Sequence, residues 1–359
     1  MGARILYVPN EHGSARQSGI RTTFSRLRSG GCVSDVRIFS LLWRIREGMA
    51  GASQRRELVE LAADYRPDII LMQHLGGTGI ARDELRELKE SCDALIYHEA
   101  DPYSRFVHAL PREAREAGAV ADAVFTVGTG TFARNFERAG ASDVQWEPSV
   151  FDPERFGRER PRANRHRDFD IVMVANRNRP RLRGLPNWRD RIRFVNYMEK
   201  RFGSRFAIFG RGWAGPSAQG AVAYSDQSSA IRSGWVSANW DHFAREPKYF
   251  SDRLPTSLAT GSVHATTAHP GFNQIFPGAE PFLLMSESMV ALGDRIEQYL
   301  TNVDADERIE REVAAWEFAH RHFRQDDQLV RMLNRGGAGI DQSSYEPLRE
   351  VRVDALDEM

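Results

Sequence analysis

Short apolar and β-branched runs recur along the chain, each followed by a longer stretch in which apolar residues return every three or four positions. In the first half the runs are Arg4–Val8, Val33–Phe39, Asp68–Gln73, Ala94–His98, Ala123–Val127 and Val144–Trp146, with helical stretches such as Asp83–Ser91 and Arg112–Ala117 between them. Strands separated by helices predict right-handed crossovers and a mostly parallel sheet. From Phe151 to Arg167 the sequence is rich in Pro, Arg and Asp and loses its periodicity, which predicts a linker. The pattern then restarts. Asp170–Ala175, Arg205–Phe209, Trp235–Asn239, Val263–Thr267 and Phe282–Met285 read as strands, and Arg189–Arg201, Phe250–Thr260, Met289–Thr301 and Ala305–Phe323 as helices. Beyond Phe323 the residues turn polar, with Gly336-Gly-Ala-Gly339, and the stretch to Met359 reads as a peripheral extension.

A chain of 359 residues exceeds what one core usually organises, so two α/β domains of roughly 150 residues are expected. The boundaries read as 1–158 for the first domain, 159–168 for the linker, 169–318 for the second domain, and 319–359 for a helix returning to the first domain plus a tail. Two such domains in tandem imply a cleft, and ligands of parallel sheets sit at the carboxyl ends of the strands.

Formal net charge is zero and pI is near 7.2, which argues against coating nucleic acid or membrane. Cys32 and Cys92 have neither metal-ligand nor redox spacing and read as reduced core residues of a cytoplasmic protein. No apolar run approaches the ~20 residues that span a bilayer. Met-Gly-Ala-Arg-Ile-Leu-Tyr-Val reads as a strand, not a signal peptide, and Leu6 occupies the position where N-acylation wants Ser or Thr. The chain also lacks a Gly-x-Ser-x-Gly elbow, a Walker loop and paired Cys/His zinc spacing, which removes the commonest hydrolase and nucleoside-triphosphatase readings.

Tyr249-Phe-Ser-Asp-Arg-Leu-Pro-Thr-Ser-Leu-Ala-Thr-Gly261, then Val263–Thr267 and Pro270-Gly271, is the most informative stretch. It reads as a helix, a glycine turn and a buried strand. Ser251 or Asp252 can cap the helix, Pro255 fits its first turn, and Gly261 can take the left-handed conformation that ends it. A helix start of this kind offers free N–H groups to a phosphate. The stretch resembles the donor-binding segment of CgeB-type (spore-maturation) glycosyltransferases, where an Arg-Leu-Phe-Glu-Ala-Leu-Ala-x-Gly run precedes a strand and Pro-Gly. Thr256 stands where that pattern has the glutamate that holds the donor ribose, and Lys248 where related retaining enzymes carry another. A carboxylate accepts two hydrogen bonds from a vicinal diol and a threonine makes one weaker contact, so ribose preference is expected to be blunted.

The resemblance is clearest over residues 169–301 and assigns further roles. Arg177, Arg179, Arg181, Arg183, Arg189, Arg191 and Arg193 crowd the segment after the strand that opens the second domain. In the family this loop faces the donor diphosphate, and Arg177, Arg179 and Arg181 are the candidates; alternatively they form an arginine-biased surface loop. Phe206-Ala-Ile-Phe-Gly-Arg-Gly-Trp213 is similar to the family's Tyr-Gly-x-Gly-Trp, with Gly210 and Gly212 letting the backbone approach a ligand. Val222-Ala-Tyr224 aligns with the segment that reads the nucleobase, and Thr256 and Ser257 complete the donor set. Arg253 would contact the pyrophosphate, or else pair with Asp252 or Glu246. In the first domain, Tyr97-His-Glu-Ala-Asp-Pro-Tyr103 resembles a loop near the reacting sugar. There His98 and Asp101 would orient an acceptor hydroxyl, or simply form an Asp-Pro turn with a partly buried histidine. His12-Gly-Ser-Ala-Arg16, with His12, Gly13 and Arg16, is the acceptor-side loop or an ordinary turn.

Gly128-Thr-Gly-Thr-Phe-Ala133 matches a dinucleotide fingerprint, with Glu147 downstream, but it follows the fifth strand of its domain and reads as a compact helix entry. Asp304-Ala-Asp306 spells Asp-x-Asp between two helices, where aspartates cap. The resemblance implies a GT-B fold, two Rossmann-like α/β domains facing each other across a cleft. It further implies transfer of a sugar from a nucleotide-sugar donor to an acceptor, with retention, no metal and no further cofactor. His98, Asp101 and Arg253 would form the catalytic set. A GT-B-shaped protein that binds a nucleotide or glycan without transfer remains the alternative, and an NAD-dependent enzyme using Gly128–Ala133 a third.

Overall fold

The protein is described here by a computed structural model in which residues 2–13, 16–106, 108–162, 167–177 and 185–358 are placed. The apolar runs form the strands β1 (Ala3–Val8), β2 (Val33–Ile38), β3 (Ile69–Gln73), β4 (Ala94–Glu99), β5 (Ala123–Thr126) and β6 (Val144–Trp146). They pair in parallel in the order β2-β1-β3-β4-β5-β6. A second parallel sheet contains β7 (Phe169–Val174), β8 (Phe206–Phe209), β9 (Ala218–Gly220), β10 (Gly234–Ala238), β11 (Val263–Thr267) and β12 (Leu283–Ser286), in the order β12-β11-β10-β7-β8-β9. Of these twelve strands, eleven fall on the apolar runs read from the sequence. Only β9 has no apolar run to announce it: Ala218-Gln-Gly220 is a three-residue edge strand.

In the first sheet the two-residue period of a strand sorts side chains onto opposite faces. Leu6, Val8, Ile70, Met72, Leu95 and Tyr97 enter one core. Ile5, Tyr7, Ile69, Leu71 and Ile96 enter the other. That second core is completed from far along the chain, by Leu329, Val330, Met332 and Leu333 of the helix Gln325–Arg335 and by Ile340, Tyr345 and Leu356.

The chain accordingly divides into two compact units. One holds the residues up to Arg105, Ala109–Glu147, and those from Gln325 onward; the other holds Phe106–His108 and Pro148–Arg324. Two expectations are corrected. The stretch read as a linker from Phe151 contributes to the second unit, because Phe151 and Phe156 are buried and the Phe151 N–H donates to Phe323 O at 3.0 Å. The tail is no peripheral extension either. Arg21 Nη1 donates to Leu356 O at 2.7 Å, and Glu358 accepts from Arg44 Nε at 2.7 Å and from the Ser40 N–H at 3.0 Å. Charged residues interleave its apolar ones in sequence, yet Tyr345 is fully buried.

The helix Ala305–His322 stays in the second unit. Phe318 packs on Phe282 and Phe276, with centroids 5.4 and 6.0 Å away, and Trp316 Nε1 donates to Gly157 O at 2.8 Å. Asp304 caps this helix by accepting from the Glu307 N–H at 2.9 Å. The glycine-rich Gly128–Ala133 likewise enters a helix, Thr131–Ala139, with Phe132 buried beneath it. Among the described residues no helix is long and apolar enough to cross a membrane.

Candidate functional site

In the second sheet β7 and β10 are neighbours, but the chain runs from β7 outward to β8 on one side and from β10 outward to β11 on the other. The loops after these two strands therefore diverge and leave a crevice at their carboxyl ends, the place where parallel sheets bind ligands. A recess opens there, lined by Val174, Gln227, Ile231, Ser237, Ala238, Asp252, Arg253, Thr256 and Ser257. Arg253, half-buried, donates from Nε to Val174 O at 3.0 Å, and its ion pair with Asp252 is long at 3.6 Å. The first contact fixes the stem of the guanidinium to the end of β7 while its outer nitrogens remain at the recess. Ser257 is buried and its Oγ lies 2.8 Å from Ser237 Oγ, so these two hydroxyls satisfy each other. Thr256 is half-buried on the same wall.

The helix that carries these residues is shorter than its sequence suggests. It runs Arg253–Ala259, and neither Ser251 nor Asp252 caps it; Asp252 has helical backbone angles and its carboxylate accepts no helix N–H. Gly261 does end it in the left-handed region, with φ +74°. Two turns carry little macrodipole, so attraction for phosphate falls on the arginine side chains instead of the helix start.

The loops after β7 and β8 are tied together. Trp213 Nε1 donates to Ala175 O at 2.6 Å, the Arg177 N–H to Arg211 O at 2.9 Å, and the Arg211 N–H to Asn176 Oδ1 at 2.8 Å. Gly210 makes this possible: at φ +147°, a Cβ there would stand 2.1 Å from Ala175 O. Gly212 is exposed at φ +85° and a Cβ there would meet Arg177 alone, at 3.4 Å from its Cβ and 3.7 Å from its O. Arg177 is exposed; Arg179 and Arg181 lie outside the described residues. Tyr224 is 57% exposed, with the Arg155 guanidinium over its ring, and its carbonyl already accepts from Arg155 Nη2 at 2.7 Å.

Behind the recess lies a buried polar network that the sequence did not announce. Asp241 accepts from Asn239 Nδ2 at 2.6 Å and lies 3.0 Å from His269 Nε2, and its N–H donates to Thr267 Oγ1 at 3.1 Å. Burial acts to raise the Asp241 carboxyl, but the His269 hydrogen bond and the His269 and Arg191 charges outweigh it and hold the group well below the usual carboxylate range. Arg191, buried, donates to Trp240 O at 3.1 Å. Burial and the Arg253 charge push it down to about 9, which leaves it cationic at neutral pH. Burial and the same two arginines push His242 down to about 3. The helix that carries Arg191 and the ends of β10 and β11, distant in sequence, build this group, so no local spacing reveals it; the one signal is Asn239-Trp-Asp-His242 directly after a buried strand.

In the first unit the strand alternation turns His98 inward. It is 4% exposed, its Nδ1 lies 3.1 Å from Gln73 Nε2, and burial pushes it down to about 4. A buried neutral ring joined to Gln73 and, through it, to Tyr7 is a core histidine and does not present itself to an acceptor. The groups presented at the ends of β3 and β4 are His74, Glu99 and Asp101, whose candidate ligand atoms lie within 4.8 Å of one another. His74 Nδ1 is 3.1 Å from Glu99 and 3.3 Å from Asp101. Burial would lower the His74 imidazolium, but the Glu99 hydrogen bond and both carboxylate charges raise it. His12 and Gly13 are exposed, and Arg16 stacks on Trp43 at 4.5 Å and pairs with Glu358 at 3.6 Å. His98, Asp101, His12, Gly13 and Arg16 thus belong to the first unit and the donor candidates to the second.

Residues 189–334 match the model of a family described as glycosyl transferase-like. Among solved structures, a glycosyltransferase from Rickettsia africae superposes with a TM-score of 0.60 at 11% identity, covering 98% of this chain and 100% of that one. HepE of Anabaena, in complex with UDP-glucose, gives 0.58 at 11% identity over 94% and 100%. Sucrose-phosphate synthase from Thermosynechococcus elongatus gives 0.57 at 13% identity over 93% and 98%. No curated protein matches at the level of sequence. The fold is that of GT-B glycosyltransferases, and the family match over residues 189–334 is of the kind expected from the sequence.

Proposed function

We propose that this glycosyltransferase-type chain moves a sugar from a nucleoside-diphosphate sugar, bound by its second unit, to a hydroxyl-bearing acceptor. The observation that supports this most is the recess at the switch point of the second sheet, with the Arg253 guanidinium anchored at its mouth by Val174 O. In the transfer, the bond between the anomeric carbon and the diphosphate oxygen breaks and a bond to the acceptor oxygen forms. Charge builds on the leaving diphosphate, and preorganised cationic donors that match it lower the barrier. Arg253 and Arg177 are the residues for this role, with buried Arg191 adding its field from behind.

The finer reading follows the CgeB-type resemblance: retention at the anomeric carbon, with arginines in place of a metal. HepE is in complex with UDP-glucose, which makes UDP-sugars the first donors to try. The alternative, binding without transfer, is favoured by Thr256 and Lys248. The experiment is a thermal-shift and product-release assay with a panel of nucleotide sugars, with and without chelator. Donor-dependent release of nucleoside diphosphate, unchanged by chelator, supports the full reading. Stabilisation by nucleotide with no release supports the binding protein, and chelator-sensitive turnover points to an ion at His74, Glu99 and Asp101.

A further inference from the structure

Resting on the donor reading above, we propose that Asp252, not the residue at 256, supplies the carboxylate that reads the vicinal diol of the donor ribose. Asp252 and Thr256 are four residues apart at the start of one helix, so they project along the same face, and both line the recess. Among the residues lining that recess Asp252 is the one carboxylate. Its oxygens are available. It stands where a capping residue would stand, yet it makes no cap, and among the described residues its one ion pair is the 3.6 Å contact with Arg253. Its side chain is 76% exposed, so a ligand reaches it without rearrangement. The two serine hydroxyls of the recess are turned toward each other, Ser237 Oγ and Ser257 Oγ lying 2.8 Å apart. Gln227 lines the same recess, with an amide able to donate to one ribose oxygen while the carboxylate accepts from both hydroxyls.

The proposal carries a sign that separates it from general electrostatics. A carboxylate beside a bound diphosphate repels it, so neutralising Asp252 should help every diphosphate bind if repulsion were its only effect. If it reads the diol, neutralising it must instead weaken the ribose form selectively.

The test is calorimetric binding of UDP and 2′-deoxy-UDP, and of GDP and 2′-deoxy-GDP, to the full chain and to Asp252→Asn and Thr256→Val. The full chain should prefer one ribose form over its deoxy counterpart by at least about tenfold, the scale of one charged hydrogen bond. In Asp252→Asn that preference should fall to within about twofold through loss of the ribose form alone. Thr256→Val should keep the ratio. A ribose preference that survives in Asp252→Asn, or is absent from the full chain, overturns the assignment while leaving the donor site standing. Failure of every nucleotide to bind the full chain overturns both.

Discussion

His264 sits in the middle of β11, fully buried, with neither ring nitrogen hydrogen-bonded in the structure. Burial pushes its imidazolium down to about 4. The unfolded chain binds this proton near pH 6.5 and the folded one refuses it until about 4, so the stability is fully present above pH 6.5 and is lost as pH falls toward 4. Between pH 7 and pH 5 this one group should cost about 2 kcal/mol. His264→Leu should remove that share of the acid sensitivity, as read from urea unfolding at the two pH values; equal losses in both proteins would refute it. Arg253→Ala should weaken nucleoside-diphosphate binding by about 1.5–3 kcal/mol without unfolding the chain, because the side chain is half-buried and bonds only one carbonyl. Unchanged affinity in calorimetry would remove Arg253 from the site. At this scale sequence was a partial guide. Arg253 and Ser257, which line the recess, come from one continuous motif, whereas Asp241 and His269 lie 28 residues apart and meet only through the strand ends. His98 shows the converse: its loop looks chemical, but strand alternation points the ring into the core.

Strands were the easiest elements to read, since strands of a parallel sheet are buried on both faces, and Ile69–Gln73 and Val263–Thr267, buried at every position, fall where expected. Helix ends were harder. The stretch from Phe250 has helical composition, but Phe250 is spent on a cluster with Phe272, Phe276 and Phe323, and the helix begins only at Arg253. The turn after β8 gives a prediction at this scale. Gly210→Ala places a methyl 2.1 Å from Ala175 O, which forces the loops after β7 and β8 apart. It should cost at least about 1–3 kcal/mol and lower nucleoside-diphosphate affinity with it. Gly212→Ala, which would approach nothing nearer than Arg177 Cβ at 3.4 Å, should cost only about 1 kcal/mol. Denaturation midpoints for the pair decide this, and equal losses would count against the close approach at Gly210.

For the molecule as a whole, the residues after Gln325 belong to the first unit's core although the second unit lies between them in sequence. Their apolar stripe, Leu329, Val330, Met332 and Leu333, is flanked by Asp326, Asp327, Arg331 and Arg335, and this density of charge is why the region reads as polar from sequence. Each buried side chain of this kind contributes about 1.5–3 kcal/mol, so the group together rivals the ~5–15 kcal/mol stability of a whole domain. A chain ending at Arg324 should therefore lose amide-exchange protection across β1–β6 and keep it across β7–β12. Protection retained in both sheets would show that the first unit does not need the returning helix. The same threading sets an order of events during synthesis. When the strands of the first sheet have left the ribosome, one of their faces still lacks its cover, and it waits until the whole of Pro148–Arg324 has been made. Apart from Phe106–His108, the second unit lies wholly between Pro148 and Arg324 and can close as soon as that stretch emerges. The unit that begins first is finished last, and its uncovered apolar face is the surface on which a nascent-chain chaperone would act.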